Sequence, residues 1–135
     1  MSAPCHVCLI GRPLWRDWEL VERLVQKHEV TLLHAIAPRD LHLVAHSDIV
    51  AVDSRACDAD PRGCVELLRR STGAAIVLLD GGLGQREVAT VLHAGAQDYF
   101  SEPFDFALIA ERLTYLAESR SAARARARKD ADGRV

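Results

Sequence analysis

Long apolar runs are missing from this sequence. The longest, about Ala74 to Leu79, is far short of the ~18–20 residues a membrane span needs, so a helical membrane protein is excluded. The opening Met-Ser-Ala-Pro has no basic residue ahead of the short apolar stretch from Val7 to Ile10. No secretion signal is read there, and a cytoplasmic location is expected. A phosphate-cradling loop is also lacking. Gly81-Gly82-Leu83-Gly84 has neither the G-x-G-x-x-G spacing nor a Walker lysine, and reads as a turn. No Ser/His/Asp or Cys/His set can be assembled from neighbouring strand ends, so no catalytic residue is assigned and the chain does not read as an enzyme. Cysteine is sparse. Cys5 and Cys8 form C-x-x-C, but the downstream pair, Cys57 and Cys64, is seven apart, unlike the tight second pair of a zinc site. Cys5 and Cys8 also lie in a predicted strand, where residues three apart face opposite sides. All four read as buried thiols. Of the six scattered histidines, only His42 and His46 have i,i+4 spacing, and no third ligand is in view. No metal site is assigned.

What is present reads as one globular domain. The chain has 135 residues, 49% hydrophobic and 27% charged, which suits a soluble domain with a real core. The formal net charge of −2 hides an asymmetry: residues 119–135 hold six Lys/Arg against two Asp/Glu, whereas residues 1–118 hold eleven against seventeen. We therefore read a mildly acidic domain over 4–118 and a basic Ala/Arg-rich tail or linker over 119–135. Residues 119–129 are low-complexity Ala/Arg/Ser and either extend the last helix or form a linker. Their five basic residues can touch nucleic-acid phosphates without reading sequence, but a linker toward an output module is the preferred reading, and nucleic acid is not the expected partner of the domain.

Apolar runs alternate with helical patterns. Strands are predicted over 5–10, 29–34, 48–52, 74–79 and 97–101. Helices are predicted over 14–27 (from Leu14, Trp18, Val21 and Val25), 38–45, 64–70, 85–94 (Val88, Val91, Leu92) and from Asp105 onward. Pro61 and Gly63 fall in a loop, and Gly95 ends a helix. No repeat is found. Five βα units imply a parallel sheet covered on both faces, and right-handed crossovers favour a flavodoxin-like doubly wound α/β fold with strand order 2-1-3-4-5. In the last helix Phe106, Ile109, Leu113 and Leu116 form the core face. Leu108, Arg112 and Tyr115 face the other way, as does Trp15 in the first helix.

Function in open α/β sheets gathers at the carboxyl ends of the strands. Those positions are Ile10, Gly11 and Arg12, then Asp53, Asp80, and finally Ser101 and Glu102. Three acids from three strands should converge on one crevice. The runs Ile76-Val77-Leu78-Leu79, Ala94-Gly95-Ala96-Gln97-Asp98-Tyr99 and Glu102-Pro103-Phe104-Asp105, with SDIVAVD ending at Asp53, resemble the receiver domain of bacterial response regulators over residues 5 to about 118. The resemblance implies that Asp53 matches the phosphoacceptor and Tyr99 the aromatic that reorients on activation. Pro103 matches a proline usually preceded by a cis bond. It also implies signalling partners, a histidine kinase or an output domain, and a homodimer through the face of the fourth helix, fifth strand and fifth helix.

The departures from that pattern are specific. The two acids that hold Mg²⁺ in the family align with Ile10 and Gly11, the hydroxyl that binds the phosphoryl group with Asp80, and the neutralising lysine with Glu102. Mg²⁺ wants oxygen ligands and phosphoryl transfer needs a cation clamp. Neither is supplied, so Mg²⁺ binding and ordinary phosphorylation are not expected. Two basic residues stand near the crevice, Arg12 and Arg55, and Arg12 is expected to bridge Asp53, Asp80 or Glu102. The leading reading is an atypical receiver acting by protein contacts without phosphorylation. The alternatives are a conventional phosphoacceptor at Asp53 and a flavodoxin-like ligand-binding domain.

Overall fold

Five parallel strands form a single sheet in the order β2-β1-β3-β4-β5. They are β1 (Cys5–Ile10), β2 (His28–Leu33), β3 (Ile49–Asp53), β4 (Ala75–Asp80) and β5 (Asp98–Ser101). Between them run α1 (Glu19–Val25), α2 (Leu41–Ala45), α3 (Pro61–Ser71) and α4 (Gln85–Ala94), and the chain ends in α5 (Phe106–Asp132). This computed structural model describes residues 4–14, 18–57, 60–80 and 82–132. β1 and β3 are in register from Val7–Ile49 to Ile10–Val52, and β3 and β4 from Ile49–Ala75 to Asp53–Leu79. Their carboxyl ends are therefore level, which brings Gly11, Asp53 and Asp80 to one rim.

The strict alternation of strand side chains divides the core in two. Cys5, Val7 and Leu9 of β1 pack with Leu20, Val21 and Leu24 of α1 and Ile109, Leu113 and Ala117 of α5. Cys8 and Ile10 pack on the opposite face with Val65 and Leu68 of α3 and Val91 of α4. The C-x-x-C pair is split between the two cores, and all four cysteines are buried and outside any disulfide. Burial pushes the Cys8 thiol up to about 12. Among the described residues no three His, Cys, Asp or Glu side chains gather to hold a metal ion. No helix of the described residues is long and apolar enough to cross a membrane.

Several boundaries differ from the sequence reading. α1 starts at Glu19, because residues 12–14 form a 3-10 turn that buries Leu14, and Trp18 enters the helix with φ 63. That left-handed residue rotates the helix, so Leu20, Val21 and Leu24 face the core while Trp18 and Val25 are half exposed. Trp15 lies outside the described residues. α3 starts early, at Pro61 rather than 64: Asp60 caps it by accepting the Gly63 N–H at 3.0 Å, with proline at the first helical position. Leu92 of α4 is exposed rather than part of its packed face, whereas Gly95 closes that helix with φ 129. α5 runs unbroken through residue 118 to Asp132, so the basic segment from 119 continues the helix.

Candidate functional site

The rim at the carboxyl ends of β1, β3, β4 and β5 is centred on Asp53, whose side chain is wholly buried. A buried carboxylate must be hydrogen-bonded or paired. Here one residue does both. The backbone N–H of Arg55 donates to Asp53 Oδ1 at 2.9 Å, its Nε donates to the same oxygen at 3.0 Å, and its Nη2 donates to Oδ2 at 3.1 Å. The first contact is an Asx-type turn, which bends residues 54–56 into a 3-10 turn. That bend carries the guanidinium back over its own carboxylate in a two-pronged pair. The same Nη2 also donates to Glu102 Oε1 at 3.1 Å. Asp53, Arg55 and Glu102 thus form one chain across the crevice. Bonding to Asp53, then the charges of Asp53, Glu102 and Asp80, raise the Arg55 pKa further above its ordinary value.

Arg12, expected to make this bridge, does not. The 3-10 turn after Gly11 points Leu14 inward and leaves Arg12 exposed, with no ion pair to Asp53, Asp80 or Glu102. Of the two basic residues near the crevice, the one two positions after Asp53 is engaged. Its signal was the Asp-x-Arg spacing, short enough for an Asx turn to fold the side chain back.

Gly11 has φ +112, and a Cβ built there would lie 2.9 Å from the Asp53 Cβ. Its N–H donates to the Leu33 carbonyl at 2.8 Å, which fixes that conformation. Neighbouring Ile10 is fully buried in the α3/α4-side core. Neither position offers a side-chain oxygen, both Asp53 oxygens are bonded to Arg55, and so the donors present do not fit Mg²⁺.

Asp80 turns its Oδ1 to the Gly82 N–H at 2.6 Å, and its carbonyl accepts the Glu102 N–H at 3.2 Å. The Glu102–Pro103 peptide is cis. Tyr99 is half-buried on the α3/α4 side; burial, with Asp80 and Glu87, raises its phenol pKa, opposed by the Leu83 backbone. Farther along the same edge, Leu108 and Tyr115 are 54% and 61% exposed. Arg112 lies between them, its Nε donating to Asp98 Oδ2 at 2.8 Å and its guanidinium 5.5 Å from the Tyr115 ring centre.

No protein-family model matches this sequence, and no curated protein does. Solved structures do. A CheY-like response regulator receiver domain protein from Methanospirillum hungatei JF-1 superposes with a TM-score of 0.74 at 14% identity, over 90% of this chain and 99% of that one. A two-component response regulator from Clostridium difficile gives 0.69 at 16% identity, over 83% of this chain and 94% of that one. The response regulator DrrB of Thermotoga maritima, an OmpR/PhoB homolog, gives 0.72 at 17% identity, over 87% of this chain and 54% of that one. The chain has the fold of response-regulator receiver domains.

Proposed function

We propose that this chain is an atypical receiver domain, a protein-interaction module of two-component-type signalling that works without phosphorylation and is not itself an enzyme. The observation that carries this reading is the Arg55 guanidinium on both oxygens of Asp53. Phosphorylation would have to strip Arg55 from Asp53 and add about one further negative charge to a crevice where Asp53, Asp80 and Glu102 already face one engaged cation. With Ile10 and Gly11 in place of acids, no Mg²⁺ donor set offsets that charge. Arg55 instead supplies the counter-charge to Asp53 and ties β3 to the β5–α5 loop.

The partner surface we assign is the exposed edge of α4, β5 and α5. Leu108, Arg112 and Tyr115 recur at i, i+4 and i+7 and form one stripe, with Leu92 exposed on α4. A homodimer through this face is the expected assembly. The likeness to DrrB, in which the match spans about half of a longer chain (54%), supports an output domain as a further partner. Analytical ultracentrifugation with and without a small phosphodonor and Mg²⁺ tests both parts. We expect the same dimer in both conditions and a monomer for Leu108→Glu, whose side chain is exposed and dispensable for the core. Dimerisation that appears only with the phosphodonor would favour the conventional phosphoacceptor reading.

A further inference from the structure

The opposite edge of the sheet holds a second buried carboxylate that the crevice does not use. Asp48, just before β3, is fully buried. It is stitched into the sheet on three sides. Its N–H donates to the His6 carbonyl at 2.8 Å, its carbonyl accepts the Ala75 N–H at 3.1 Å, and Oδ2 accepts the His6 N–H at 2.8 Å. Its other oxygen, Oδ1, has no hydrogen-bond donor among the described residues and is met by the guanidinium of Arg124 in an ion pair. Arg124 lies far along α5, seven residues past the last wholly buried residue of that helix, Ala117. The spacing is helical. Residues 113, 117, 120, 121 and 124 fall on one face, so the buried stripe of Leu113 and Ala117 continues in polar form as Arg120, Ser121 and Arg124. Each has a partner at the amino-terminal edge. Arg120 occupies the space beside Gly73, where a Cβ would come within 2.6 Å of its Nη2. Ser121 lies beside the Cys5 thiol, and Arg124 takes Asp48.

We propose that Arg124 latches the C-terminal part of α5 onto the buried Asp48 carboxylate, making residues 119–132 a helical arm of fixed direction rather than a mobile tail. The last turns of a helix fray when nothing holds them, even when rich in alanine and arginine. The arm gains its order from the domain, and the buried carboxylate gains its counter-charge from the arm, so each depends on the other. Beyond Arg124 the helix runs on to Asp132, about 12 Å past the latch at 1.5 Å per residue, with residues 125–131 exposed. A following segment or a bound partner would meet them at a set angle to the sheet.

Arg126 is the internal control: the same residue type, two positions on, exposed, and with no ion pair among the described residues. Amide exchange measured residue by residue by NMR on the full chain decides the matter. Arg124→Ala should speed exchange at residues 119–128 by at least ~10-fold while leaving residues 107–117 protected, and Arg126→Ala should not. Asp48→Asn, which keeps an acceptor for the His6 N–H but removes the charge, should resemble Arg124→Ala. If Asp48→Asn does not fold, the two arginine variants still decide. Equal exchange at 119–128 in both would show that helix propensity alone orders the arm, and would overturn the latch.

Discussion

Gly11→Asp, which would add an acid beside Asp53, is expected to destabilise the domain by about 2–6 kcal/mol and to confer no metal binding. Two costs combine. A residue with a Cβ at φ +112 is strained by about 1–3 kcal/mol. A Cβ placed 2.9 Å from the Asp53 Cβ forces β1 and β3 apart in a packed rim, at a further 1–3 kcal/mol or so. Gly11→Ala separates geometry from charge. It should show most of the loss, because the strain and the clash begin at Cβ; aspartate adds only repulsion from Asp53. Urea unfolding of the two variants measures both. A near-neutral Gly11→Ala would mean that the loop relaxes freely and that the glycine is not a steric requirement.

Arg55→Ala is expected to cost about 2 kcal/mol. Removing one partner of a buried pair can cost about 3–5 kcal/mol. The Arg55 side chain is 60% exposed, however, so solvent screens the pair and water can reach part of the uncovered carboxylate. The Arg55 backbone N–H also remains on Oδ1 in the variant. The signature of the pair is recovery: adding Asp53→Asn to Arg55→Ala should regain about 1 kcal/mol, because an amide tolerates burial without a counter-charge. If Asp53→Asn is as harmful in the Arg55→Ala background as alone, the guanidinium is not what holds Asp53.

The sheet was legible because its signals are strong and repeated. Uninterrupted apolar runs such as Ala75–Leu79 mark strands buried on both faces, and the alternation of runs and helices specifies the winding. What failed depended on single backbone angles and on polar contacts. The periodicity that put Trp18 on the core stripe assumed an unbroken helix from residue 14. The left-handed Trp18 breaks it, and no residue type announces a tryptophan in that conformation. The C-terminal arm was only half legible: its Ala/Arg/Ser composition fits either an extension of the last helix or a linker, and nothing in it chooses between them. Its packed face carries Arg120, Ser121 and Arg124, and a search for apolar periodicity stops where Ala117 ends. At the crevice, the position of Asp53 at a strand end followed from the sheet alone. Choosing between Arg12 and Arg55 required knowing which way each loop turns, and that is fixed by the Gly11 φ and by the Asx turn at Asp53. The acids at Asp80 and Glu102 could be read directly. The contact of Arg55 with Glu102 could not, because it joins residues 47 apart in sequence.

On the proposed function, Arg55 occupies Asp53 in place of metal and phosphoryl group. Intact-mass measurement after incubation with a small phosphodonor and Mg²⁺ tests it most directly, with a conventional receiver domain treated alongside to show that the donor is active. This chain is expected to keep its unmodified mass while the conventional domain gains a phosphoryl group of about 80 Da. A stoichiometric adduct of that mass on this chain, lost when Asp53 is replaced by asparagine, would contradict it.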